Sequence, residues 1–174
     1  HGTWIKYILN KIRNPSRTEI TGIDLSGRRI LLAKSLLANE SNVSLIAMDF
    51  MKYNSAKAFN IIFIADVLEL IEEKYYEKIL HKSYQLLSTP GYLVIVDKDR
   101  CSLHYLKFLV KKKMRLFPKN YLHGGTYEFI RFPSFKQLSK VALRNNFVIL
   151  KKARVKEFHA LVLSKISMSE QANS

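Results

Sequence analysis

Apolar residues recur along this chain in two alternating rhythms. Ile5, Ile8, Leu9 and Ile12 fall at spacings of three, one and three, the period of an amphipathic helix that follows "HGTW". "TEITGIDLS" then predicts a short strand ending in an acid, and "GRRILLAKSLLANE" a helix with Ile30, Leu31, Ala33, Leu36 and Leu37 on its apolar side. "NVSLIAMDF" is a second strand. In "AFNIIFIADVLELI" five consecutive apolar residues, Ile61 to Ala65, predict a strand buried on both faces of a parallel sheet.

A helix through "YYEKILHKSYQLL" follows, and "TPGYLVIVDKDR" turns into another buried strand. Beyond it come an amphipathic segment at 102–117, an irregular stretch and a helix near 134–145. "NFVILKKA" and "EFHALVLSK" alternate apolar with polar and sit close together, as an antiparallel hairpin does. Strands alternating with helices predict an α/β fold with a doubly wound, mostly parallel sheet and the C-terminal hairpin at one edge. We expect one domain over 1–165, with 98–133 on the substrate side and 166–174 a disordered tail.

Composition adds limits. The 174 residues are 48% hydrophobic, enough for a sizeable core, and no run of about 18 apolar residues could span a bilayer. Cys101 is the sole cysteine, so no intramolecular disulfide can form. With no signal-peptide pattern at its start, the chain reads as cytoplasmic. The formal charge of +15 is unevenly spread: residues 1–97 carry +2, 98–165 carry +14 and the tail −1. An anionic partner, whether nucleic acid, lipid headgroup or phosphorylated substrate, would be met in the C-terminal part. A solvated basic face is the plainer account.

In a doubly wound sheet the ligand lies beyond the carboxyl ends of the strands, which gives the acids there their weight. Asp24 closes its strand 22 residues after Gly2, near the ~20-residue separation between a glycine turn and the acid that receives a ribose diol. Its alternative role is to cap the helix starting near Ser26. Asp49 ends "LIAMDF" and could accept a hydrogen bond from an exocyclic amine, with Phe50 against a purine ring, or could be an ordinary loop acid. Asp66 and Glu69, in "ADVLEL", top the next strand, where acids also occur simply because they suit the start of a helix.

Together these segments resemble the class I methyltransferases that use S-adenosylmethionine. "GIDLSGRRILLAK" looks like the family's second motif, "AMDF" its third, "FNIIFIADVLELI" its fourth and "LLSTPGYLVIVD" its fifth-strand segment. The resemblance implies a Rossmann-like fold and S-adenosylmethionine as cofactor. It also implies a cofactor site of Gly2, Thr3, Asp24, Leu25, Asp49, Phe50, Ile64 and Ala65. "HGTW" looks like the last residues of the family's glycine-rich turn. The strand that would lead into that turn, the central one of the sheet, is absent from this sequence. We therefore expect the functional protein to be longer and this chain alone to bind cofactor weakly or not at all.

Residues 115–147, "RLFPKNYLHGGTYEFIRFPSFKQLSKVALRNNF", resemble the ubiquinone-biosynthesis type of O-methyltransferase. Some of those enzymes carry a glutamate-x-x-glutamate-histidine pattern associated with a divalent metal. Here the matching positions are Asp66, Glu69 and Leu70, so the histidine is missing and no metal is expected. Asp66, Glu69, His104 and His123 are the candidate bases, an imidazole having an ordinary pKa near 6.5. The expected function is methyl transfer to a small hydrophobic or lipid-like acceptor, with O-methylation favoured. The alternatives are a nucleic-acid methyltransferase or binding protein, and a non-catalytic partner subunit. In 102–117, Leu103, Leu106, Val110, Met114 and Phe117 form an apolar stripe, and Lys107, Lys111 and Arg115 a cationic one. That pattern fits either a lid helix packed on the sheet or contact with an anionic membrane surface.

Overall fold

The computed structural model describes residues 2–98, 103–114, 133–155 and 158–166. The chain divides into two compact units, 1–54 and 55–174. The first unit contains α1 (Thr3–Leu9), β1 (Ile20–Asp24), α2 (Gly27–Leu36) and β2 (Val43–Ala47). β1 and β2 pair in parallel, from Ile20 opposite Val43 to Asp24 opposite Ala47. A β-α-β crossover of this kind sets the carboxyl ends of both strands on one side. The unit's core is Leu9, Ile30, Ala33 and Leu37.

Gly2 precedes α1 with φ +79, and a Cβ there would lie 3.0 Å from the Ala33 Cβ. Only glycine combines that left-handed backbone with so close an approach to α2. Ser26 caps α2, its Oγ accepting from the Arg29 N–H at 3.3 Å. Of the apolar residues at helical spacing in α2, Leu31 and Leu36 are exposed. The inward row runs instead through Ile30, Ala33 and Leu37, spaced three and four apart along one line of the helix.

The second unit contains β3 (Phe59–Ala65), α3 (Tyr76–Leu86), β4 (Leu87–Lys98), α4 (Leu103–Lys113), α5 (Phe135–Arg144), β5 (Val148–Val155) and β6 (Phe158–Lys165). Its sheet has the order β3-β4-β6-β5: β3 and β4 are parallel, and β6 is antiparallel to both β4 and β5. The expected hairpin is thus present, with β5 at the edge. β4 is buried at Gly91, Leu93, Ile95 and Asp97, the period of two that puts one face into the core. α3 buries Tyr76, Ile79, Leu80, Ser83 and Leu86. α5 starts from a capping box in which Ser134 Oγ accepts from the Gln137 N–H and Gln137 Oε1 accepts from the Ser134 N–H.

β3 departs from expectation. Ile61 is 60% exposed, and of the apolar run only Ile64 is fully buried. Among the described residues β3 pairs only with β4, as an edge strand does, whereas two-sided burial belongs to an interior strand with both faces covered. β1 likewise pairs only with β2 among the described residues. The end of the amphipathic segment, 115–117, and the tail from 167 lie outside the described residues.

Candidate active site

The carboxyl ends of β3 and β4 gather four charged side chains. Asp66 follows β3 directly, with φ 53, and its N–H donates to the Val96 carbonyl at 3.0 Å, prolonging the parallel ladder by one rung. The chain then tightens into a short 3-10 turn, Leu68–Leu70, which carries Glu69. Asp97, the penultimate residue of β4, reaches that turn: its Oδ2 accepts from the Leu68 N–H at 2.7 Å and the Glu69 N–H at 3.3 Å. Its Oδ1 accepts from the Lys98 N–H at 3.0 Å. The Tyr76 hydroxyl donates to the Leu68 carbonyl at 3.0 Å and holds the turn from the α3 side. Lys98 Nζ donates to Glu69 Oε1 at 2.9 Å.

One oxygen from each of Asp66, Glu69 and Asp97 lies within 4.8 Å of the others. Asp97 is fully buried and Glu69 nearly so, whereas Asp66 is partly exposed. Burial, followed by the Glu69 charge, pushes the Asp97 carboxyl up to about 7 against the lowering effect of the Lys98 and Leu68 N–H groups. Burial acts to lower the Lys98 pKa, but the hydrogen bond to Glu69 and the charges of Glu69, Asp66 and Asp97 outweigh it, so the ammonium is held above its ordinary value. Three carboxylates so spaced form a donor set for a hard divalent cation, and the Lys98 ammonium already brings positive charge to it. Leu70, the position matched to a histidine in the expected metal pattern, is exposed.

The residues expected to hold the cofactor fall in both units. In the first, Asp24 ends β1; its Oδ1 accepts from the Ser26 N–H at 2.8 Å and lies 3.5 Å from Arg29 Nε. The helix cap is therefore Ser26, and Asp24 shapes the turn before it. Oδ2 of Asp24 makes no hydrogen bond among the described residues, and its side chain is 28% exposed. Leu25 is exposed beside it. Asp49 caps the short 3-10 turn Phe50–Lys52, accepting from the Met51 N–H at 2.9 Å, and Phe50 is half-buried. Asp24 and Asp49 stand at the same end of the β1–β2 pair. Gly2 and Thr3 open α1. In the second unit, Ile64 is buried and Ala65 half-buried at the end of β3, immediately before Asp66.

Of the four candidate bases, the structure brings Asp66 and Glu69 together. The His104 side chain and the whole of His123 lie outside the described residues. Sequence reasoning missed Asp97, Lys98 and His159. Asp97 could have been found by the rule that singled out Asp24 and Asp66, since "YLVIVD" is a buried strand closed by an acid. His159 is fully buried on β6, opposite Asp97 in the antiparallel ladder, and its ring lies 4.7 Å from that of Phe135. A lone histidine inside "EFHALVLSK" carries no such signal.

A family model described as a methyltransferase domain matches residues 1–91. No curated protein sequence matches the chain. Among solved structures, the chain is similar to the N-methyltransferase NodS from Bradyrhizobium japonicum WM9 in complex with S-adenosylhomocysteine. The TM-score is 0.66 at 14% identity, over 95% of this chain and 74% of that one. It is also similar to magnesium protoporphyrin IX methyltransferase from Synechocystis PCC 6803 with the same product bound (TM-score 0.60, 16% identity, 87% and 65% covered). A third is the 1,6-didemethyltoxoflavin-N1-methyltransferase of Burkholderia thailandensis (TM-score 0.66, 12% identity, 95% and 67% covered).

Proposed function

This chain belongs to the methyltransferase-domain family, and from that premise we propose that it transfers a methyl group from S-adenosylmethionine to a small hydrophobic, lipid-like acceptor, with oxygen as the receiving atom. The observation that carries the reading is at Asp24: one carboxylate oxygen accepts from the Ser26 N–H, while the other makes no hydrogen bond among the described residues and would accept from a ribose diol. When bound, S-adenosylmethionine supplies an electrophilic methyl on sulfur, which an in-line nucleophile displaces. Positioning dominates such a step, with effective molarities of ~10⁵ M or more, so few protein groups are needed beyond a base.

Asp66 is the better placed base of the two described. It is partly exposed at the carboxyl end of β3, whereas Glu69 is buried and bound to Lys98. Asp97 positions Glu69 and Leu68 through their N–H groups. By the resemblance to the family, Ile64 and Ala65 at the end of β3 would hold the methionine end of the cofactor. Two of the solved neighbours are methyltransferases named for small molecules, magnesium protoporphyrin IX and 1,6-didemethyltoxoflavin, which supports the acceptor class. The preference for oxygen rests on the resemblance of 115–147 to the ubiquinone-biosynthesis type.

The test is transfer of radiolabelled methyl to a panel of hydrophobic phenols, aromatic amines and oligonucleotides. Label in a phenol supports the reading; label confined to amines or oligonucleotides overturns it. The oligonucleotide arm tests the second reading, which the +14 charge of residues 98–165 and the exposed Lys151, Lys152 and Arg154 of β5 favour. Binding through those groups would weaken steeply with salt.

A further inference from the structure

The described aliphatic side chains of α4 and of Met114 just past it are exposed. Leu106 is 56% exposed, Leu109 41%, Val110 50% and Met114, one residue past the helix, 60%. At 100° per residue these four side chains occupy an arc of about 140°. Lys107 and Lys111 border the arc on one side, Lys113 stands within it at the C-terminal end, and all three are exposed. No acid occurs between Leu103 and Met114.

We propose that this face of α4 docks on an anionic lipid bilayer, with the aliphatic side chains entering the acyl boundary and the lysines meeting the headgroups. An unpaired aliphatic arc edged by cations is what an interfacial helix presents to a membrane. Lysine stems add to the fit, because they lie along apolar surface while their ammonium groups stay with phosphate. Charge argues for lipid over a second copy of the chain, since two copies would bring like-charged faces together. Side-chain type argues for lipid over nucleic acid, whose bases stack on aromatic rings rather than on leucine and valine. The proposal does not depend on which acceptor is methylated. Among the described residues no helix is long and apolar enough to cross a membrane, so contact would be peripheral.

The test is co-sedimentation of the full chain with vesicles of phosphatidylcholine alone or mixed with phosphatidylglycerol. Wild type should pellet with the anionic vesicles in about 0.1 M salt and be released near 1 M, where the Debye length falls from about 10 to 3 Å. A chain of net charge +15 could adsorb without using α4, so two variants isolate the helix. Lys107→Gln/Lys111→Gln/Lys113→Gln removes its charge, and Leu106→Ser/Val110→Ser/Met114→Ser keeps the charge while removing the apolar arc. Both should pellet at least fivefold less than wild type. A control, Lys34→Gln/Lys52→Gln/Lys140→Gln, should pellet like wild type.

The emission of Val110→Trp, read as the difference from wild type, should shift to the blue on anionic vesicles; this single exposed substitution gives an answer if a triple variant fails to fold. The proposal falls if wild type stays in the supernatant, if the serine variant pellets like wild type, or if the control loses as much as the α4 variants. It also falls if velocity sedimentation without lipid shows a dimer that the serine variant abolishes, which would make a second copy the occupant.

Discussion

Lys98 Nζ lies 2.9 Å from Glu69 Oε1, joining the last residue of β4 to the turn that follows β3. Against the lowering effect of burial, the neighbouring carboxylates of Glu69, Asp66 and Asp97 hold its ammonium above the ordinary pKa. Replacing Lys98 with alanine leaves Glu69 buried without that partner. We expect Lys98→Ala to lower the unfolding free energy by about 1–3 kcal/mol in urea titrations. A loss under about 0.5 kcal/mol, the low end for a single hydrogen bond, would show the pair to be incidental.

Because Lys98 already supplies positive charge beside the three carboxylates, and Leu70 stands where the resemblance to the ubiquinone-biosynthesis type would put a histidine, we expect methyl transfer to survive chelation. Treatment with a chelator is expected to leave the rate unchanged once an acceptor is found. Activity abolished by chelator and restored by magnesium would assign the three carboxylates to a metal instead.

Asp97 should give stability an unusual pH dependence. Its carboxyl is pushed from 3.8 up to about 7, so between those values the folded state holds a proton that the unfolded chain releases. Its contribution is therefore intact below pH 3.8, is lost as the pH rises to about 7, and is constant above. The total loss is up to about 4 kcal/mol, at 1.36 kcal/mol per pH unit. Asp97→Asn cannot titrate, so the stability of wild type relative to the variant should decline between about pH 4.5 and 7.5. A difference that is flat or rises across this range would contradict burial as the cause of the raised pKa.

Asp24→Ala should weaken S-adenosylmethionine binding at least about tenfold, or 1.4 kcal/mol, by calorimetry, as expected when charge-assisted hydrogen bonds to a diol are lost. Unchanged affinity would remove Asp24 from the site.

Gly2→Ala should loosen the first unit even without ligand. It forces a side chain into φ +79 within 3.0 Å of the Ala33 Cβ, at a cost of about 1–2 kcal/mol for the left-handed backbone alone. Faster hydrogen exchange in α1 and α2 is the readout. Unaltered exchange combined with lost cofactor binding would give Gly2 a purely functional role.

The order of elements was legible from residue pattern alone, because the periods of helix and strand are local properties. "YYEKILHKSYQLL" announces α3, and the alternation in "EFHALVLSK" announces β6. Strand-end acids were legible for the same reason: Asp24 closes "ITGID" and Asp66 follows the apolar run 61–65, and each lies at the carboxyl end of its strand. The burial of particular faces was not. Ile61 reads as core in its run of five, yet stands exposed on a strand that pairs only with β4 among the described residues.

The site's chemistry was the least legible part. Asp97 and Glu69 are 28 residues apart, and nothing local says that the carboxylate of one takes the N–H of the other. The parallel pairing of β3 with β4 brings Asp97 beside the Leu68–Leu70 turn, and the antiparallel pairing with β6 puts His159 opposite it. Periodicity records which way each side chain points relative to its own element. Only the register between strands decides which charges share a low-dielectric interior, where burial and then the Glu69 charge raise the Asp97 pKa and Lys98 pairs with Glu69.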